Sequence, residues 1–149
     1  MAAKFEYAQA EEIRDVFARH GVRYLFLGKS ILLGFPDTTQ DADLYVEKSP
    51  ANGATLVVAL DELGFVLDDV RRAEIRRGKD FVQLKDGPFD LDLVFAPDGI
   101  ERFGDAWDRR VQIEGFPVCH PSDIIASKDR ESLPRLRAFV DYWLEKHRR

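Results

Sequence analysis

One cysteine, one methionine and three histidines are spread thinly over 149 residues, and each scarcity removes a class of chemistry. With Cys119 alone, no intramolecular disulfide can form, and no Cys/His cluster has zinc-ligand spacing. Cys119 reads as a small buried apolar residue. His20 falls on an apolar helical face, where packing or capping is expected; His120 follows a strand without a Cys or Asp partner for a triad; His147 sits in the tail. No apolar run approaches the ~18 residues of a membrane span, and the first residues lack the hydrophobic stretch of a signal peptide. The expectation is a soluble cytoplasmic protein with no membrane partner. Net charge is −5 with both signs mixed along the chain, which argues against a dedicated nucleic-acid binder with one basic face. There is no repeat, low-complexity tract or linker.

What is present is a composition that can build a core: 45% apolar and 11% aromatic residues, in a length that predicts one domain over residues 1–149. Apolar spacing at Ile13, Val16, Phe17 and His20 predicts a helix over about 8–20, closed by Gly21. Val22 to Leu27 reads as a buried strand, ended by Gly28; Ser30 to Gly34 follows as one or two helical turns, and Pro36 to Thr39 as a turn. Asp41 to Val46 alternates polar and apolar, as a half-buried strand does. Ser49-Pro50 forms a cap and first turn for a helix with Leu56, Val57, Leu60 and Leu63, which stops at Gly64. A short strand is expected at Phe65 to Leu67. Arg71 to Asp80 is too charged to place; its arginines and Lys79 read as a solvated face or, alternatively, a phosphate contact.

Farther on, Phe81 to Leu84 and Phe89 to Phe95 predict a hairpin around Asp86-Gly87, and Val111 to Ile113 with Phe116 to Cys119 a second around Glu114-Gly115. Between them, Ile100, Phe103 and Trp107 suggest a helix. Ser122 is expected to cap a helix through about Lys128, so that C-terminal helices begin near 122; a last helix from Pro134 carries Leu136, Phe139, Val140, Trp143 and Leu144. The fold class is therefore α+β, a mixed β-sheet flanked by helices.

Two motifs carry chemistry. Gly28-Lys29-Ser30 matches the last three letters of a P-loop, but the preceding glycine, Gly21, lies seven residues upstream where the motif needs five, and the intervening residues are the strand itself. The tripeptide is not a Walker motif. A glycine that ends a strand before a short helix still presents backbone N–H groups to an anion, to which Ser30 adds a hydroxyl and Lys29 a charge. The second motif is a repeated carboxylate pair. Asp41-Ala42-Asp43 puts two aspartates on one strand face, and Asp90-Leu91-Asp92-Leu93-Val94 does so again. A solvated strand face would alternate in the same way. Asp is, however, disfavoured in strands. Were the two strands neighbours, the converging carboxylates would repel one another unless a cation intervened. Mg²⁺ suits oxygen ligands and substrate phosphates, and a pair of such ions ~4 Å apart supports phosphoryl or nucleotidyl transfer.

In this order — apolar strand, Gly-x-Ser turn, ten residues, Asp-x-Asp, then a strand-borne Asp — the chain resembles the nucleotidyltransferase superfamily of DNA polymerase β-like fold, and more narrowly the small bacterial minimal nucleotidyltransferases and abortive-infection toxins. The resemblance runs from about Val22 to Trp143. It implies that Gly28, Lys29 and Ser30 hold a nucleoside triphosphate, that Asp41 and Asp43 bind two Mg²⁺ ions, and that Asp92 is the third catalytic carboxylate and metal ligand, with Asp90 the competing candidate. Lys128, within Ser122 to Lys128, matches the late helix whose lysine reaches the phosphates. The chain departs from the pattern at Lys29, where relatives have a small residue, at Asp37, where many have arginine, and at the compressed Lys128-Asp129-Arg130. The implied activity is Mg²⁺-dependent transfer of a nucleoside monophosphate to a protein or RNA hydroxyl, possible within a toxin–antitoxin pair. The alternatives are a catalytically silent domain of the same fold that binds nucleotide or protein, and an interaction module with coincidental Asp pairs.

Overall fold

Gly21, Gly64 and Gly78 all have positive φ, at 68°, 102° and 71°, and each ends a helix. The structure, a computed structural model, describes residues 7–27, 41–85, 87–96, 102–113 and 115–123. Helix α1 (Tyr7–His20) buries Ala10, Ile13, Val16 and Phe17 on one face. It closes with a bond from the Val22 N–H to the Phe17 carbonyl at 3.0 Å, as a left-handed glycine allows. Helix α2 (Pro50–Leu63) opens where the Ser49 hydroxyl accepts from the Asn52 N–H, with Pro50 in the first turn, as the sequence predicts. Helix α3 (Asp69–Arg77) fills the stretch too charged to place by periodicity. Its signals are local: Asp68 caps it through the Arg71 N–H at 2.7 Å, Asp69 sits at its positive end, and Arg76 and Arg77 sit at its negative end.

The sheet has six strands in the order β3-β4-β2-β1-β6-β5. They are β1 (Tyr24–Phe26), β2 (Asp41–Val46), β3 (Phe81–Leu84), β4 (Asp90–Val94), β5 (Val111–Ile113) and β6 (Phe116–Val118). β2 runs parallel to β4, and β1 parallel to β6; the β1–β2, β3–β4 and β5–β6 pairs are antiparallel. Helix α4 (Phe103–Arg109) lies between β4 and β5 in the chain. Both expected hairpins form, and the α+β reading with a mixed sheet holds.

Alternation assigns the two sheet faces. One face carries Tyr24, Phe26, Leu44, Val46, Leu91, Leu93, Phe116 and Val118, all buried. It packs through edge-to-face rings, Phe17 on Tyr24 at 4.8 Å and Phe26 on Phe116 at 5.4 Å. The opposite face carries Leu25 and Tyr45, and α4 covers it by Phe103 on Tyr45 at 5.0 Å. The Arg23 guanidinium lies 4.7 Å from the Trp107 ring centre and pairs with Glu47 at 2.9 Å, extending that cover.

Two local expectations are corrected. Phe65 to Leu67 is no strand: it tethers α2 to α3, with Phe65 and Leu67 buried and Val66 96% exposed. An extended tether over a core shows the same alternation as a strand, so the pattern alone does not separate them. Ser122 does not cap the helical turn at 121–123 but lies inside it. His120 does the capping, its Nδ1 accepting from the Ser122 N–H at 3.1 Å. The expected turns at 30–39 and the last helix from Pro134 lie outside the described residues. No described helix is long and apolar enough to cross a membrane.

Candidate active site

β2 and β4 are adjacent, parallel and in register, Asp41 opposite Asp90 and Asp43 opposite Asp92. In-register residues on neighbouring strands share a face, so positions 41, 43, 90 and 92 form two rungs of a carboxylate ladder on the face opposite the Leu44–Leu91–Leu93 core. The sequence reading required neighbouring strands, and β2 and β4 are neighbours. Asp90 and Asp92 are each 6% exposed, and Asp43 is half-buried. Burial of such carboxylates is costly unless their oxygens are matched by donors or a cation. Asp90 Oδ1 is buried with no hydrogen-bond partner.

The neighbouring elements fix what else reaches this end of the sheet. The Leu27 N–H donates to the Asp43 carbonyl at 2.9 Å, so the residue that precedes Gly28 in the sequence is held against the carboxylate strand. The Cys119 N–H donates to the Phe26 carbonyl at 2.9 Å, which brings the end of β6 and the turn at 121–123 to the same edge. That turn is pinned by a bidentate pair: Arg109 Nε and Nη2 donate to the two Asp123 oxygens at 3.0 and 2.8 Å. Sequence reasoning missed this pair. Its two members lie on different helices, fourteen residues apart, with no local motif joining them.

Two ionisable groups at this edge are held neutral. Burial, reinforced by the nearby Cys119, Asp123 and Asp105, pushes the Tyr45 hydroxyl up to about 12. Burial pushes the Cys119 thiol up to about 12 as well, with Asp123 adding and Arg109 opposing. Cys119 is thus a packed apolar residue rather than a nucleophile. His20 bonds Glu62 at 3.1 Å on the far side of α1 and takes no part here.

Of the expected site residues, the structure brings together Asp43, Asp90 and Asp92 and sets Asp41 in register with Asp90; the side chain of Asp41 lies outside what is described. Gly28, Lys29, Ser30 and Lys128 lie outside the described residues. Among the described residues, no three His, Cys, Asp or Glu side chains already form a metal-sized cluster. A partly buried set of aspartates with one orphaned oxygen nonetheless has the donor chemistry a hard cation such as Mg²⁺ takes. Comparison with known protein families matches none of them, and no curated protein matches the chain.

Proposed function

We propose that the protein is an Mg²⁺-dependent nucleotidyltransferase of polymerase β-like fold, transferring a nucleoside monophosphate from an NTP to an acceptor hydroxyl. The observation that carries this reading is the in-register Asp43–Asp92 pair on adjacent parallel strands, with the chain entering Gly28-Lys29-Ser30 from a residue bonded to Asp43. Asp41, Asp43 and Asp92 would hold the metal, and the buried, unpartnered oxygen of Asp90 makes that residue a further candidate. Bound Mg²⁺ supplies charge neutralisation for the phosphates and acidifies the acceptor hydroxyl.

The protein's own share of the chemistry is positioning. Gly28 and Ser30 offer N–H and hydroxyl donors to the triphosphate, and Lys29 and Lys128 offer charge. The acceptor oxygen would bond to the α-phosphorus, pyrophosphate would leave, and Asp92 would take the acceptor proton. Phe103, edge-on to Tyr45 and stacked with Trp107, covers the sheet face beside the ladder.

The test is release of pyrophosphate from each of four NTPs labelled at the α-phosphate, with cell extract as the source of acceptor. Label is expected on an acceptor only with Mg²⁺, and Asp41→Ala and Asp43→Ala are expected to abolish it. Absence of both labelling and Mg²⁺-nucleotide binding would refute the proposal.

A further inference from the structure

The arginine-rich stretch at 71–79 divides in two when its partners are followed. Arg72 makes a bidentate pair with Asp61 at 2.9 and 3.0 Å, and Arg71 and Lys79 both bond Glu74. The Arg72–Asp61 pair ties α3 to α2, while the Glu74 bonds are local to α3 and its C-terminal end. Arg76, Arg77 and Lys48, the last beyond the end of β2, are exposed and make no direct ion pair among the described residues, although Arg77 lies near enough to Glu74 to add to Lys79 and Arg71 in holding that carboxyl below its usual range. Lys48, Arg77, Gly78, Lys79, Asp80 and Phe81 line an open groove of about 450 Å³. Gly78 is needed in its wall: a Cβ there would meet Lys48 Cγ at 2.6 Å, so the lysine stem lies flat over the turn. Phe81 stands at the groove mouth, 45% exposed, on an edge strand.

One groove residue shares a sheet face with the carboxylate ladder. Phe81 is in register with Val94, and Gln83 with Asp92, so Phe81, Gln83, Asp92 and Asp43 lie on one sheet face. Phe81 is two residues along the strands, roughly 7 Å, from the level of the Asp43–Asp92 rung, one strand across from Asp92 and two from Asp43. An exposed aromatic ring beside exposed cations, on the sheet face that also carries the aspartates, fits a strand of phosphodiesters with an unstacked base. The Lys79–Glu74 pair and Asp80 lower the net charge of the groove.

We propose that this groove binds single-stranded nucleic acid and leads its hydroxyl end to the carboxylate ladder, which makes a nucleic-acid strand the acceptor; that last step rests on the nucleotidyltransferase reading. Lys48 and Arg77 contact phosphates, and Phe81 stacks on a base.

The experiment is fluorescence anisotropy of short labelled single strands, RNA and DNA in separate arms, with the full chain at several salt concentrations. Variants are Lys48→Glu/Arg77→Glu, the milder Lys48→Gln/Arg77→Gln, and Phe81→Ala, with circular dichroism to confirm folding. The wild type is expected to bind with affinity that falls as salt rises. The charge reversal is expected to weaken binding about tenfold or more, with a shallower salt slope, and Phe81→Ala at least about fivefold. A strand preference for RNA or DNA identifies which acceptor is used. Affinity unchanged within about twofold in all three variants overturns the groove, as does label transfer to a protein by an enzyme that binds no oligonucleotide. Oligonucleotide binding that depends on these residues, without transfer from any NTP, upholds the groove while removing the transferase reading.

Discussion

Leu91 and Asp92 are neighbours on β4, and their surroundings have little in common. Leu91 points into the α1–α2 side with Leu44 and Leu93, all three fully buried, and the Tyr24 hydroxyl is a buried polar atom on that face without a hydrogen-bond partner. Asp92 points to the other side, where it shares a ladder with Asp43 and Asp90 and one buried oxygen has no partner. The first face is what a sequence selected for stability produces. Each face holds a buried polar atom without a partner, but on the first it is a neutral hydroxyl and on the second a carboxylate oxygen in a row of carboxylates, whose burial costs far more and is more often tied to function. The two faces therefore respond to substitution with opposite signs.

Leu91→Ala should cost about 3 kcal/mol, measured by chemical denaturation, since the cavity opens in a packed core. Nearly as large, at about 2–3 kcal/mol, is the loss expected for Asn52→Ala. Asn52 is 5% exposed, and its amide bonds the Arg23 N–H at 2.8 Å, the Arg23 carbonyl at 3.1 Å and the Glu47 carbonyl at 2.8 Å, joining α2 to β1 and β2. Gly53→Ala should cost about 1–2 kcal/mol despite the better helix propensity of alanine, because a Cβ would meet the Arg76 carbonyl oxygen at 2.7 Å.

A pH titration sharpens the contrast. The Cys119 thiol is raised from 9.0 to about 12 by burial, so its neutral form is favoured in the folded state. Its contribution is complete below pH 9 and is lost as pH rises toward 12, amounting to about 1 kcal/mol by pH 10. Thermal melts across pH 8–10 should show this loss in the wild type and less of it in Cys119→Ala. The smallest effect has the opposite sign: Asp90→Asn should leave the metal-free protein unchanged or more stable by up to about 1 kcal/mol, because it removes a buried charge from a row of like charges.

Much of the fold could be read in advance wherever a signal is local. Ser49-Pro50 and Gly64 marked both ends of α2, and strict alternation marked β2 at Asp41–Val46. α3 escaped because its exposed face is charged and only Ile75 is buried, leaving almost no apolar period to see. The Phe65–Leu67 tether was misread because burial alternates there without any partner strand. For the site, the aspartates were visible as a repeated motif, but their register was not: nothing in Asp41-Ala42-Asp43 or Asp90-Leu91-Asp92 states that β2 lies beside β4, since α2, α3 and β3 intervene in the chain. The Arg109–Asp123 clamp was invisible for the same reason. Long-range pairing is decided by how the whole sheet assembles.

The most direct measurement of the central claim is calorimetric titration of each NTP, with and without Mg²⁺, into the wild type and into Asp43→Asn/Asp92→Asn. The account predicts that at least one NTP binds only with Mg²⁺, and that the double variant, still folded, binds it at least about tenfold more weakly. Equal binding by both proteins, or none by the wild type, would contradict it.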